Sequence, residues 1–470
     1  MSSRFKYFDR NTPLLLPPSL NDWIPEDHIV HFIIDAVDLV PVDKFKTNPT
    51  GSGSDQFHPH LMLSILIYCY ATGRFSSREI ECATYSDLAV RYIAADLHPD
   101  HDTICKFRRE NGVAFKEAFI QVLELASELK VLKKLGGVSV DGTKIKANAS
   151  KHSAVSYKKS GELLELLSAE VDALTQKAEQ ADSKPLEEGL SIPEEITRRE
   201  TRIAKLKDAR KIIEERHSEK MKAKQEEYEQ KQKTRQTIRD KGGKPRGREP
   251  KPPQDIPDDK AQVNFTDEES RIMKTSSSGF QQCYNAQAAV DIEGSMLILG
   301  AYVTNDPNDK LQLDPALNSI DSSIREVSEL LADSGYYSEG AVTKIESDET
   351  QNTEVYCDVE RTPHGRTVAD LEKRDDLEYS PQGLTPKEAM RQKLQTTRGR
   401  ECYKLRKQTV EPAFGIIKEV LGFRQFFLRG IEKVNLEWDL LSIAYNLKRI
   451  FKLTKGNGLS PFDKKFFIGA

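Results

Sequence analysis

The sequence has no Cys-x-x-Cys pair. Its six cysteines (Cys69, Cys82, Cys105, Cys283, Cys357 and Cys402) are scattered over 470 residues. That scatter argues against a zinc ribbon or a disulfide scaffold and suits a reducing cytosol. None of the nine histidines stands in an HxxxH or Cys-x-His spacing, which disfavours a zinc centre. The opening MSSRFKYFDR lacks an apolar h-region, so no signal peptide is expected. The most apolar stretch, Leu61 to Tyr70, is about half of the ~20 residues that a membrane span needs. Hydrophobic residues make up only 37% of the chain and charged residues 31%. A core is affordable, but part of the chain must be solvated or extended. The length suggests two or three domains.

A net charge of -4 hides local asymmetry. Arg391 to Lys455 holds 15 lysines and arginines against 6 acids, and Lys231 to Lys251 holds 9 against 2. Basic segments inside an acidic chain suggest a localised polyanion site.

Residues 1–130 read as helical. Ile29, Phe32, Ile33, Ala36 and Val37 give a helix over Glu26 to Val40. His60 to Ala71 is apolar nearly all round, the mark of a bundle's central helix. Ser76-x-x-Glu79 is a capping box. Asp102-Thr103 is expected to cap a short helix carrying Arg108 and Arg109, compatible with a helix-turn-helix that touches DNA. Strand patterns follow at 136–146, 284–291 and 296–305, the last two flanking a Glu293-Gly294 hairpin turn. A helix over about Asp309 to Ser322 comes next, then strands in SELLADSGYY and EVYCDV. The sum is an α/β pattern with a mixed sheet. Between the first two strands, 160–235 shows two amphipathic stretches with a break at Ser183-Lys184-Pro185 and Gly189. These read as an inserted helical hairpin. The Pro/Gly/charge-rich stretch within 236–262 reads as a disordered basic linker, and 456–470 as a C-terminal tail.

Among 74 acids, three have a specific local reason to be functional. Asp141 interrupts the apolar strand VSVDGTKIK, where an unpaired buried carboxylate is costly. Gly142 beside it admits another backbone or a ligand, and Lys144 and Lys146 bring cations near. Asp333 ends the apolar run SELLAD, and ligand sites gather beyond the carboxyl ends of such strands. Glu411 lies in TVEPAFGIIK, where Thr409 and Pro412 read as a helix start or kink. It sits among Arg398, Arg400, Lys404, Arg406, Lys407, Lys418, Arg424 and Arg429. Three convergent carboxylates make a hard-oxygen site for Mg²⁺ or Mn²⁺.

These residues carry a resemblance. VSVDGTKIKANAS, YNAQAAVD, LLADSGYYS and YKLRKQTVEPAFGIIKEVLGFRQFFLRG resemble, in order, the blocks of bacterial insertion-sequence transposases of the DDE class. LLPPSLNDWIPEDHIVHFI and the FHPHLMLSILIYCYATG…SSREIE block resemble that group's helical N-terminal domain. The resemblance implies an RNase H-like catalytic domain, over 131–159 and 263–455, with a triad of Asp141, Asp333 and Glu411 holding two Mg²⁺ or Mn²⁺ ions. It implies double-stranded DNA as partner (the element's terminal inverted repeats and the target), with Lys144, Lys146, Arg108, Arg109, Arg398, Arg400, Tyr403, Lys404, Arg406, Lys418, Arg424 and Arg429 expected to contact it, a homodimer in the synaptic complex, and a nucleoid-associated cytoplasmic protein without membrane contact. It also implies hydrolysis at the element end followed by attack of the freed 3′-OH on target DNA. Many relatives show Tyr-x2-Arg-x3-Glu-x6-Lys around the last acid. Here Tyr403-x2-Arg406 is followed by four residues before Glu411-x6-Lys418. Pro245-Arg246-Gly247-Arg248 resembles a minor-groove hook, with Glu249 in place of its final proline; a solvated linker is the preferred reading. Two rival functions are a catalytically inactive DNA-binding relative and a metal-dependent nuclease that only cuts.

Overall fold

The computed structural model describes residues 19–48, 55–181, 192–240, 242–245, 248–253, 255–275, 279–348, 352–359 and 379–456. The expected break at Ser183-Lys184-Pro185 and Gly189, the Arg246-Gly247 pair and the tail beyond Gly456 lie outside these residues.

Six helices open the chain: α1 (Ile29–Asp38), α2 (Pro59–Ala71), α3 (Ser77–Ser86), α4 (Leu88–Ile93), α5 (His101–Glu110) and α6 (Gly112–Glu128). α2 is buried along nearly its whole length, as an all-round apolar helix must be. The Ser76/Glu79 capping box opens α3. α5 is capped by Asp100, which accepts from the Thr103 N–H at 2.6 Å, and not by Asp102, which is exposed. Asp100 stands three residues ahead of that N–H, the spacing that a cap needs.

β1 (Leu135–Lys146) leads into β2 (Ala154–Ser156) and then α7 (Tyr157–Ala181) and α8 (Ile192–Asp240). α7 and α8 pack through Leu167, Leu206, Ala209 and Ile213, with Val155 and Val263 closing the cluster at the base. Among the described side chains Ile213 is the last buried one of α8, yet the helix runs on to Asp240. Arg239 there meets Glu249 at 2.6 Å, so the first residues of the basic linker are helical and the chain beyond them folds back.

β3 (Gln262–Asn264) pairs with β2, and β4 (Arg271–Thr275), β5 (Gly279–Asp291), β6 (Ile298–Thr304), α9 (Leu313–Asn318), β7 (Glu326–Ala332), α10 (Glu339–Glu346) and β8 (Glu354–Cys357) follow. α11 (Pro386–Gln395), α12 (Thr397–Gly415) and α13 (Ile431–Gly456) complete the described chain. The main sheet runs β5-β1-β7-β8. β4 and β6 share the outer edge of β5, pairing with its first and second halves. β1, β5 and β6 are antiparallel neighbours, whereas β7 and β8 run parallel to β1. The α/β class with a mixed sheet is therefore as the sequence led us to expect. α9 is shorter than the expected Asp309–Ser322 helix at both ends, and the Asp309 carboxylate accepts from Asn285 and Gln287 of the sheet.

α13 joins the two halves. It packs on α2 and α6 on one side and β6 on the other, and one continuous core spans both. The outer backbone of β6 would be an unpaired edge. Asn446 bonds both Ile298 N and O, and Asn435 both Val303 N and O, so α13 caps it with carboxamides.

A cavity of about 380 Å³ lies where α6, β6, α9 and α13 meet, lined by Phe119, Ile120 and Leu299 and by the buried carboxyl of Asp439. Burial pushes this carboxyl up to about 7, with Lys116 opposing weakly. The folded chain prefers it protonated while the unfolded chain ionises it near 4, so stability falls as pH rises from about 4 to 7. Asp439→Asn should therefore stabilise the protein on the order of 3 kcal/mol at pH 8, the gain shrinking toward zero near pH 4. Urea melts at both pH values check this; equal midpoints at pH 8 would mean that the carboxylate is solvated.

Candidate active site

Asp141 and Asp333 are brought together by strand register. Val138 and Ser139 of β1 pair with Leu330 and Leu331 of β7 in parallel. Two residues further on, Asp141 is level with Asp333 just past the end of β7, on the same face. Crowding shows in the chemistry. Burial first, then the Asp333 charge, pushes the Asp141 carboxyl up to about 7, against the pull of the Gly142 N–H at 2.8 Å and of Arg406. Asp333 is fixed by accepting the Gly335 N–H at 2.8 Å.

Glu411 comes from α12, which packs across β1, β5, β7 and β8. Of the helix start or kink expected at Thr409 and Pro412, the start is not what forms. Thr396 caps α12, accepting from the Gly399 N–H, and Pro412 lies inside. Thr409 turns its hydroxyl back to the Leu405 carbonyl at 2.8 Å, so it cannot cap. A π-helical turn, Ile416–Val420, follows the proline. Such turns absorb one extra residue.

Arg406 lies among the acids. Its Nη2 donates to Glu411 Oε1 at 3.1 Å, and Nη1 stands 3.9 Å from Asp141 Oδ2. Its side chain is only 10% exposed, and its Nε is buried without a hydrogen-bond partner. Tyr403 lies under the guanidinium, ring centre 5.9 Å away. Among the described residues no three His, Cys, Asp or Glu side chains converge closely enough to hold a metal ion as they stand. The donor set nonetheless fits a hard divalent ion: two crowded carboxylate-bearing strands whose mutual repulsion a cation would relieve, with a third carboxylate held by a guanidinium nearby.

The expected cations divide into two groups. Arg109, Arg400, Lys404, Arg424 and Arg429 are exposed; Arg424 pairs with the exposed Glu419, and Arg429 donates to Asn148 O at 3.0 Å. Arg398 is exposed and shared between Glu329 and Glu354 at 3.2 and 3.4 Å. Lys146 is half-buried, as is Lys418, which donates to Lys144 O at 3.3 Å. Three of the expected DNA-contacting cations have internal partners in this structure. Arg108 is 2% exposed and donates to Tyr70 Oη and Phe75 O. Lys144 points to Asp309 at 3.7 Å, its Nζ buried. Arg406 faces the acids rather than the surface. Each serves an internal acid or carbonyl that sequence spacing does not reveal.

The sequence reading missed Asp309. Its Oδ1 accepts from Asn285 Nδ2 at 2.6 Å and Gln287 Nε2 at 2.8 Å, and Gln287 in turn accepts from the Tyr336 hydroxyl. Gly142 makes the room: a Cβ there would meet Gln287 at 2.2 Å and Asp309 at 2.8 Å. The signal was present in YNAQAAVD, where two carboxamides two residues apart on a buried strand require a common polar partner.

Two family models match the chain. One, described as Transposase DDE domain, covers residues 364–451, and the other, Transposase domain (DUF772), covers residues 18–110. Both matches are to transposase models. The first match takes in Glu411, Arg406 and α12, and the second takes in α1 to α5; Asp141 and Asp333 lie between them. No curated protein and no solved structure matches the chain. No helix among its described residues is long and apolar enough to cross a membrane.

Proposed function

We propose that this transposase cuts DNA at the ends of its element and joins the freed 3′-OH to target DNA, in an RNase H-like domain whose triad is Asp141, Asp333 and Glu411. The observation that carries the reading is the level placement of Asp141 and Asp333 on neighbouring strands, with Arg406 bridging Asp141 and Glu411 of α12. Two Mg²⁺ or Mn²⁺ ions on these carboxylates would activate the attacking oxygen and stabilise the leaving one. In the first step water adds to phosphorus and the 3′ oxygen leaves, giving a 3′-OH and a 5′-phosphate. In the second, that 3′-OH attacks a target phosphodiester and displaces its 3′ oxygen. Neither step needs a protein nucleophile, so no serine or tyrosine is assigned one. The exposed Arg400, Lys404, Arg424 and Arg429 hold backbone phosphates, and the N-terminal helices with Arg109 add a second DNA contact. A cytoplasmic homodimer that pairs two ends is the matching assembly.

The deciding experiment is strand transfer of a pre-cut end into a supercoiled target, using the flanking terminal repeats. Joined product supports the reading; cutting without joining leaves a nuclease, and binding alone an inactive relative. The surface cations give a separate expectation. Replacing Arg424 or Arg429 with Ala should weaken DNA binding across sequences and flatten the log–log salt slope by about one unit each. An unchanged slope in filter binding between 50 and 200 mM salt, roughly the range where counterion release is felt, would put the DNA elsewhere.

A further inference from the structure

We infer that Arg406 is a positioning residue that holds Glu411 away from the metal site until a DNA phosphate draws its guanidinium off, coupling metal loading to DNA binding. The inference rests on the catalytic reading above.

The contacts are unusual for a helix. Glu411 follows Arg406 by five residues, whereas ordinary helical ion pairs stand three or four apart. The guanidinium therefore reaches round α12 toward the Asp141 face to touch both acids, at 3.1 and 3.9 Å. It is poorly satisfied there. It makes one hydrogen bond and one long ion pair and lies over the Tyr403 ring, and its Nε is buried with no partner. A buried donor without a partner disfavours the state that contains it, so this seat is occupied but easily left. The carboxyl of Glu411, by contrast, is half-exposed at 48%. While Arg406 holds it, a divalent ion must compete with a guanidinium for the same oxygen.

A phosphate offers a better partner. The planar guanidinium fork fits phosphate as well as it fits carboxylate. Lys404 and Lys407 are exposed on the same helix and Arg424 just beyond it, so DNA arriving at these cations brings phosphates to the mouth of the site. Arg406 then moves from acid to phosphate, and Glu411 is released toward Asp141 and Asp333. Catalytic power would follow DNA engagement, which spares the cell a freely loaded nuclease.

Linkage makes this measurable without turnover. If DNA raises the affinity for metal, metal raises the affinity for DNA by the same factor. We would titrate full-length protein with Mn²⁺, following the free ion by its electron paramagnetic resonance signal. The titration is run with and without a short duplex of arbitrary sequence, after subtracting binding to DNA alone. For the wild type, DNA should tighten Mn²⁺ binding roughly tenfold, within the usual range for coupled sites. Arg406→Gln should bind Mn²⁺ roughly tenfold more tightly without DNA and gain less than about twofold from DNA. Arg406→Lys, which keeps the charge but not the fork, should retain part of the coupling. A purely electrostatic role predicts tighter binding in Arg406→Gln with the DNA coupling intact, and that result overturns the inference. So does a wild type without coupling, a measurement that stands even where Arg406→Gln fails to fold. Asp141→Asn separates the two layers: if it leaves Mn²⁺ binding untouched, the metal site itself is misassigned, whereas lost binding there with unchanged coupling in Arg406→Gln removes only the role of Arg406.

Discussion

Asp141→Asn and Glu411→Gln should each lower the rate of end cleavage by about 10³-fold or more, some 4 kcal/mol of transition-state stabilisation. Each removes an anionic oxygen that a divalent ion would use, without changing shape. Their effects on DNA binding should differ from their effects on cleavage. Glu411 is half-exposed beside a field of cations, so its neutralisation removes a charge that repels phosphate; duplex binding should hold or tighten. Asp141 adds a pH signature. Burial and the Asp333 charge push its carboxyl up to about 7. Below that pH it is protonated and a poor ligand; above it the carboxylate is available. Mn²⁺ affinity should therefore climb between pH 6 and pH 8 in the wild type, and Asp141→Asn should remove that part of the climb. Wild-type cleavage by Glu411→Gln with Mg²⁺ would end the assignment at that position.

Much of this arrangement was legible in the sequence, and the limits have physical causes. β1, β6, β7 and β8 announce themselves as largely apolar runs between turn residues, and β5 over 284–291 as an alanine-rich one, because strands buried on both faces have little freedom in composition. Asp141 and Asp333 could be singled out because a carboxylate at the edge of such a run is anomalous. The course of α12 was not legible. Thr409, Glu411 and Pro412 spell a helix start or a kink by local rules without choosing between them; the helix begins at Thr396's cap and runs through the proline, sustained by packing on four strands. β2, β3 and β4 are three to five residues long, too short to carry a period. Side-chain direction was the main loss. Lys144 alternates onto the Asp309 side of β1, and no spacing rule pairs it with an acid 165 residues away.

Arg108 is the sharpest case of that loss, and its replacement should have the largest effect on stability. Arg108→Ala should destabilise the protein by about 3–5 kcal/mol, the usual cost of stripping one partner from a buried ion pair. Its Nη1 donates to Tyr70 Oη at 2.9 Å and Phe75 O at 2.7 Å and lies 4.0 Å from Glu437 Oε1. Glu437 is fully buried and accepts the Tyr70 hydroxyl at 3.1 Å and the Phe427 and Leu428 N–H groups at 2.9 and 3.0 Å. One network thus ties α5 and α2 to α13 and to the segment that carries Arg424 and Arg429. Burial already raises the Glu437 carboxyl and Arg108 opposes it. Without the guanidinium Glu437 must either stay charged in an apolar interior or take up a proton, which weakens its hold on the two N–H groups. Arg109, next in sequence but exposed, is the control: Arg109→Ala should stay within about 0.5 kcal/mol of wild type and should flatten the salt slope of DNA binding if α5 meets DNA. Urea melts and filter binding on both variants separate the roles. An Arg108→Ala protein that melts like the wild type while losing a unit of salt slope would return Arg108 to the DNA surface.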